Sequence, residues 1–398
     1  MTTDLHPASR IGGLAESHIR EMTRLALDYG AVNLGQGFPD FGTPAEVRAS
    51  AAQAILNEHN QYAVTWGIRP LREAIAESLR RRFAPGFDWV DPERHVTVTL
   101  GVTEGLVSAL MASVEPGDEV IIIEPAHENY APAARFAGGR PVFVPLLPPD
   151  YVLDLDRLRA AVSPRTKAIV VNTPHNPSGR VFTPAEMEGV ATLCLEHDLL
   201  AVTDEIYDRI LYDGRVHIAL ATLPGMTERT VTVGGLSKTF AVTGWRLGYA
   251  VAPEPWSTAL RTIHDFTTIC APTPLQHAGV VAYSLPESFY ETQLADYHWR
   301  RDEMMRILDA AGFEGSRPEG AYYVLAGYEA WDFPGEAVEF SRWLTREVGV
   351  AVVAGSSFYA TPGLGTRQVR FAFAKKPETL AAARERLVRG FEARTRGR

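Results

Sequence analysis

The chain has 398 residues, 46% hydrophobic and 22% charged, an ordinary globular balance with no low-complexity tract. Its formal net charge of −9 is the wrong sign for wrapping nucleic acid or settling on an anionic membrane, so neither partner is expected. A chain of this length exceeds what one core usually accommodates, which predicts two domains with room for a pocket between them.

Cys194, in an apolar helical stretch, and Cys270, before Ala271-Pro272, read as buried free thiols rather than disulfide or metal partners. Met1 to Arg10 carries Asp4 and Pro7 and lacks the apolar segment of a secretory signal. No run approaches the roughly 20 apolar residues of a membrane span. A cytoplasmic location is expected.

A glycine-rich turn, Leu34-Gly35-Gln36-Gly37-Phe38-Pro39, comes first and reads either as a bend or as a loop brought close to a ligand. Strand-like runs follow at 95–99, 119–123, 141–144, 168–171, 200–203, 230–233 and 247–251. Helical patterns at 103–114, 184–197 and 255–268 lie between several of them. Short β-branched runs alternating with helices predict an α/β fold with a largely parallel central sheet covered on both faces. The ligand crevice of such a sheet lies beyond the carboxyl ends of its strands. The last third changes character, with a long helix over 286–311, strands near 321–325 and 369–373, and a final helix from Pro377. These patterns predict a large domain over 44–285 and a smaller α/β domain built from 1–43 and 286–398.

Polar motifs fall where the crevice is expected. Lys238 lies in Gly234-Gly235-Leu236-Ser237-Lys238-Thr239-Phe240, directly after the run at 230–233. Burial frees a lysine amine to attack a carbonyl; a solvated lysine is the plain alternative. Asp204, within Asp204-Glu205-Ile206-Tyr207, reads as a turn or helix cap, or as a ligand-binding group. Asn172-Thr173-Pro174-His175-Asn176-Pro177-Ser178-Gly179 is at least a proline-rich turn, yet it carries more polar side chains than a turn needs. Gly101-Val102-Thr103 opens a helix whose first N–H groups and Thr103 hydroxyl can face an anion; a simple helix start is equally consistent. Arg246, in Thr243-Gly244-Trp245-Arg246, adds a planar fork suited to phosphate, and Ser237 another hydroxyl.

Together these motifs resemble the class I/II aminotransferases of fold type I, with the kynurenine, glutamine and methionine aminotransferase branch nearest. The likeness covers nearly the whole chain. It rests on Leu34 to Phe41, on Asn172 to Gly179, and on Ser237-Lys238-Thr239-Phe240 with Thr243-Gly244-Trp245-Arg246. The resemblance implies pyridoxal 5'-phosphate held as a Schiff base on Lys238, which then shuttles a proton between the substrate α-carbon and the cofactor. It implies Asp204 at the ring nitrogen, Asn176 and Tyr207 at the phenolic oxygen, and Gly101, Val102, Thr103, Ser237 and Arg246 at the phosphate. Arg370, in Gln368-Val369-Arg370-Phe371, matches an arginine that grips the substrate's α-carboxylate, with Gly37 and Asn176 beside it. The plain reading of Arg370 is a surface arginine on a strand. Tyr62 matches a tyrosine that reaches the phosphate of a neighbouring subunit, which implies a homodimer with shared active sites. The implied reaction moves the amino group of a small amino acid to a 2-oxo acid.

Two positions depart from the pattern. His127 stands where relatives usually place an aromatic ring to stack on the cofactor; imidazole can stack and can also move protons near neutral pH. Gly235 stands where a phosphate-binding serine is common, so one phosphate bond is expected to be lost or replaced by backbone. These departures keep a second reaction class open. It comprises β- or γ-elimination, γ-replacement, or carbon–carbon bond formation by a cyclising or annulating enzyme of specialised metabolism, for example on an S-adenosylmethionine-like substrate. A regulator that merely binds the cofactor is disfavoured by the negative charge and the lack of a helix-turn-helix pattern. No clear second arginine for a distal carboxylate stands out, which disfavours aspartate.

Overall fold

The computed structural model describes residues 6, 8, 11, 12, 14 and 16–396. Apart from His6 and Ala8, the Met1 to Arg10 stretch read as lacking a secretory signal lies outside the described residues. Strands run in chain order from β1 (Val32–Asn33) through β2 (Val96–Leu100), β3 (Glu119–Glu124), β4 (Arg140–Pro145) and β5 (Thr166–Asn172). Then come β6 (Leu200–Asp204), β7 (Thr230–Gly235), β8 (Leu247–Val251) and β9 (Glu314–Gly315). The last are β10 (Tyr323–Gly327), β11 (Val350–Ala351), β12 (Val353–Ala354) and β13 (Gln368–Ala372).

All seven strand-like runs of the middle region fall in one sheet, ordered β2-β8-β7-β6-β5-β3-β4. Valine and isoleucine fill the interiors of β3 and β5 because both faces of these strands are covered. The pairs β3/β4, β3/β5, β5/β6 and β6/β7 are parallel, whereas β8 runs antiparallel to both β2 and β7. The cause is the connection: residues 236–246 form a loop without the crossover helix that a parallel return requires.

Helix Pro184–Glu196 covers one face, packing Met187, Val190 and Cys194 on Ile169 and Val171. Thr183 starts it with a capping box: its hydroxyl accepts from the Glu186 N–H while Glu186 accepts from the Thr183 N–H. Helix Gly101–Met111 covers the other face, with Leu106 and Leu110 against Val120, Ile122 and Val231. Helices Ala45–Leu56, Arg69–Phe83 and Thr273–Tyr283 escaped the sequence, although Leu71, Ile75 and Leu79 recur at helical spacing.

The second sheet has the order β12-β13-β10-β9, and β1 pairs in parallel with β11 beside it. The strand read at 321–325 is displaced to Tyr323–Gly327, antiparallel to β13. Helix Glu287–Ala310, about 36 Å long at 1.5 Å per residue, joins two cores. Its Tyr290 packs with Leu71 and Phe240 near the large sheet. Its Tyr297, Met304 and Ile307 pack with Tyr322, Trp331 and Phe371 at the second. Cys194 is buried as read, whereas Cys270 is half-buried, because it precedes a helix start at the surface; both are free thiols. Among the described residues no helix is long and apolar enough to cross a membrane.

Phe340 is fully buried and stacks on Tyr328 with ring centroids 4.0 Å apart, with Trp331, Phe313 and Phe333 around it. Phe340→Ala removes that ring from a packed aromatic cluster and should lower unfolding free energy by about 3–5 kcal/mol. Urea denaturation checks this; a loss below about 1 kcal/mol, the range of a tolerated hydrophobic swap, would contradict the packing described.

Candidate active site

Strands β2, β5, β6 and β7 direct their carboxyl ends toward one cavity of about 230 Å³. Loops after those strands, the 34–39 turn and one arginine of the second sheet complete its wall. Of the residues read from sequence, Gly37, Val102, Thr103, His127, Asn176 and Asp204 line it. Tyr207, Ser237, Lys238, Arg246 and Arg370 line it too.

Lys238 follows β7 in the loop that turns back into β8, and its Nζ donates to the Gly37 carbonyl at 2.9 Å. Burial holds its pKa below the ordinary lysine value, and the nearby charge of Arg370 adds to the effect. Gly37 must be glycine, since a Cβ there would lie 1.9 Å from the Tyr323 hydroxyl. Only four lysines occur in the chain, Lys167, Lys238, Lys375 and Lys376. Lys375 is also buried, and burial pushes it to about 8, but its Nζ donates to the Phe38 carbonyl at 2.9 Å outside the cavity wall. The turn therefore separates two amines of lowered pKa, and Lys238 is the one facing the cavity.

Asp204 closes β6, buried, with its carboxylate accepting from the Tyr130 hydroxyl at 2.7 Å and the Ile206 N–H at 3.2 Å. Burial raises its pKa to about 6, against the opposing pull of the Tyr130 and Ile206 hydrogen bonds and the charge of Lys238. Asn172 ends the neighbouring strand and fixes the corner, donating to the Asp204 backbone carbonyl at 2.8 Å and accepting from the Asn176 N–H at 2.8 Å. The Tyr207 and Tyr323 hydroxyls lie 2.9 Å apart.

Arg370 sits on β13 and is 1% exposed, so the surface reading does not hold. Pairing of β13 between β10 and β12 buries its position, and the rings of Tyr323 and Phe358 flank the guanidinium at 4.4 and 4.7 Å. It donates to Asn176 Oδ1 at 3.0 Å and to the Gly35 carbonyl at 2.6 Å, while its Nε has no partner among the described residues. No carboxylate of the described residues pairs with it. A buried cation so arranged is ready for an incoming carboxylate.

At the other end, Gly101 opens helix Gly101–Met111 with φ +72°, and a Cβ on it would meet Arg246 Nη2 at 2.5 Å. Arg246 itself is in the left-handed region at φ 54°, a conformation costing about 1–2 kcal/mol for a non-glycine residue. The arginine fork thus lies over a helix start, beside Thr103 and Ser237, where an anion is favoured. Gly235 is outside the cavity wall: it pairs with Gly248 across β7 and β8, and a Cβ there would lie 3.0 Å from Gly248 Cα.

His127 faces the cavity with Nδ1 buried and unpartnered. Burial pushes its imidazole down to about 3, with the charges of Arg370, Lys238 and Arg20 in the same direction. Tyr62 lies elsewhere, 79% exposed, beside Cys270 and Thr273. Sequence reading missed Tyr130, Tyr323, Asn129 and Arg20 in the wall. Tyr130 opens a short helix after the loop that follows β3, and a polar aromatic so close to His127 was the one available signal. Asn129 donates to the Thr103 hydroxyl at 3.2 Å.

The arrangement combines a lysine amine lowered in pKa, a raised buried carboxylate, a carboxylate-ready arginine and an anion-ready helix start in one cavity. A sequence model described as aminotransferase class I and II matches residues 29–387. Kynurenine–oxoglutarate transaminase 1 of Mus musculus is 37% identical over 412 residues, covering 96% of this chain and 96% of that protein. Methionine aminotransferase of Escherichia coli strain K12 is 36% identical over 383 residues, covering 96% of this chain and 98% of that protein. The structure of N-succinyldiaminopimelate aminotransferase from Mycobacterium tuberculosis superposes with a TM-score of 0.93 at 36% identity, covering 97% of this chain and 100% of that one. With family match, relatives and architecture in agreement, the chain belongs to the class I and II aminotransferases, pyridoxal 5'-phosphate enzymes of fold type I.

Proposed function

We propose that the enzyme moves the amino group of a small amino acid to a 2-oxo acid, with Lys238 as both the attachment point of the cofactor and the proton carrier. The observation that carries this reading is that Lys238 alone among the four lysines lines the cavity, together with Asp204 and Arg370. Pyridoxal 5'-phosphate, when bound, supplies a carbonyl that condenses with amines and a ring that withdraws electrons from the substrate's α-carbon.

The side chains fit that group. Asp204, raised by burial and met by neutral donors, gains a counter-charge from a protonated ring nitrogen. Arg246, the start of helix Gly101–Met111, Thr103 and Ser237 suit the phosphate. Asn176 and Tyr207 suit the phenolic oxygen.

The remaining steps belong to the protein. Lys238, its pKa lowered by burial, takes the proton from the substrate α-carbon, and the Gly37 carbonyl orients its amine. Arg370 binds the α-carboxylate and so fixes which face of that carbon Lys238 meets. His127, held neutral at pH 7, serves as a stacking surface. Elimination, replacement or carbon–carbon bond formation was motivated by an extra acid or base beside the ring, and an imidazole lowered to about 3 has no proton to give at pH 7 and is a weak base.

We also infer a homodimer with shared sites and a cytoplasmic location. Exposed Tyr62 and Val64 on one loop, with Phe266 and Ile269 at the end of helix Trp256–Thr267, which the Thr65 to Asp265 hydrogen bond ties to that loop, support the first, since large exposed apolar groups need a cover. Two free cysteines support the second. The division into 44–285 and 1–43 with 286–398 is supported by the passage of helix Glu287–Ala310 from one core to the other.

The test is a single turnover of loaded enzyme with a panel of amino acids and no acceptor, with the cofactor identified by mass. Pyridoxamine phosphate should accumulate with the true donor, and Lys238→Ala should slow this by about 10²–10⁴-fold or more. An amino acid consumed while the cofactor stays as pyridoxal phosphate would overturn the reading. Asp204→Asn should weaken cofactor binding by about 10-fold or more, since a charge-assisted bond contributes about 1.5–3 kcal/mol. Equilibrium dialysis measures it; an unchanged Kd would remove Asp204 from the ring.

A further inference from the structure

The 34–38 turn has a lysine on each side. On the cavity side the Gly37 carbonyl accepts from Lys238 Nζ at 2.9 Å and from the Tyr322 hydroxyl at 3.0 Å. On the far side Lys375 Nζ donates to the Phe38 carbonyl at 2.9 Å and to the Gln36 carbonyl at 3.5 Å. It also lies 4.1 Å from the centre of the Phe38 ring. Lys375 is 1% exposed, and the proposed reaction gives it no part. Burying an ammonium this deeply is costly without a carboxylate partner. Asp40, whose charge reaches Lys375, turns its oxygens to the Lys376 N–H and the Thr379 hydroxyl, each at 2.6 Å. Among the described residues only backbone carbonyls and an aromatic face receive the charge.

The turn needs a brace at this point. Gly37 has to be glycine because of the Tyr323 hydroxyl, and a glycine leaves the peptide after it free to rotate. The first half of the turn is held without Lys375: Asn33 Oδ1 accepts from the Gly35 and Gln36 N–H groups at 3.0 Å, and Arg370 donates to the Gly35 carbonyl. Beyond Gln36 the grip passes to Lys375, which holds the carbonyls before and after that of Gly37. Lys375 is itself fixed, since it follows β13 and its own carbonyl accepts from Arg300 Nε on helix Glu287–Ala310 at 2.9 Å. With its two neighbours drawn to one side, the Gly37 carbonyl is kept on the other, facing Lys238.

We propose that Lys375 is a positioning residue for the proton transfer: its buried ammonium braces the turn from behind, so that the Gly37 carbonyl holds the Lys238 amine toward the substrate's α-carbon. This rests on Lys238 being the proton carrier, as proposed above. Lys375 lies outside the cavity wall, so it acts only through the turn. Its effect falls on the rate of proton transfer and spares substrate binding, because Arg370 keeps its own contacts with Gly35 and Asn176. A misplacement of the amine by about 1 Å is worth about 100-fold in rate.

The test compares wild-type holoenzyme with Lys375→Met, which keeps the length without the charge, and Lys375→Arg, which keeps the charge. Single turnovers are run with the responding amino acid and with its α-deuterated form. Lys375→Met should lower the rate at saturation by about 10- to 100-fold and enlarge the deuterium effect, with half-saturation unchanged. Lys375→Arg should recover part of the rate. An unchanged rate, or a loss that falls on half-saturation with no larger deuterium effect, overturns the proposal. Cofactor-free protein carrying ¹⁵N at the Nζ atoms of its four lysines is read by NMR in parallel. The Lys375 amine protons should exchange with solvent far more slowly than those of exposed Lys376, and Lys375→Met should move the Lys238 signal. Equal exchange at Lys375 and Lys376, or a Lys238 signal that stays in place, overturns the proposal. The exchange comparison needs wild type alone, so it decides even where Lys375→Met fails to fold. If no amino acid converts the cofactor while both NMR results hold, transamination fails and the brace on Lys238 stands.

Discussion

Burying the Arg370 guanidinium beside aromatic rings, with only an amide oxygen and a backbone carbonyl to accept from it, leaves a full positive charge inside the protein. Taking an ion from water costs several kcal/mol unless a partner of opposite sign repays it. The surrounding structure is arranged to hold this charge in place all the same. Strand β13 is clamped between β10 and β12, the 34–39 turn presents Gly35 to it, and Asn176 is fixed from behind by Asn172. The same logic runs through the cavity, where burial lowers the pKa of Lys238 and raises that of Asp204. Each group is uncomfortable alone and satisfied by a different part of one ligand assembly: a carboxylate, a carbonyl and a protonated ring nitrogen.

The fold explains how such groups come together. Residues at the carboxyl ends of parallel strands share one edge of the sheet, so Asn172, Asp204 and the Lys238 loop meet although they lie far apart in sequence. The reversal of β8 is part of this. A short loop instead of a crossover helix keeps Lys238 and Arg246 on the same rim, with Arg246 bent over the start of helix Gly101–Met111.

Much of this was legible before any coordinates. The seven runs of β-branched residues marked the sheet, because strands covered on both faces need apolar side chains throughout. Motif residues next to strand ends marked the cavity, and Lys238, Asp204 and Asn176 line it, joined by Arg370 from the middle of β13. Orientation was less legible: a five-residue run such as Leu247–Val251 looks the same whichever way it points. Tyr130, Tyr323 and Arg20 were missed for a related reason. Each sits on an element whose local pattern speaks of helix or strand alone, and only tertiary packing turns its side chain into the cavity. The protonation of His127 was equally hidden, since it depends on burial and on the charges of Arg370, Lys238 and Arg20 that converge from three segments.

One amine decides the chemistry of the cavity. Lys375 lies just across the 36–38 turn from Lys238, is buried, and is also lowered in pKa, so it provides an internal control. Reduction of cofactor-loaded protein with borohydride, followed by proteolysis and mass spectrometry, reads which lysine carries the pyridoxyl group. The cavity geometry predicts a single modified peptide containing Lys238. A label on Lys375, or one spread over Lys167, Lys375 and Lys376, would contradict it and move the chemistry to a different face of the turn.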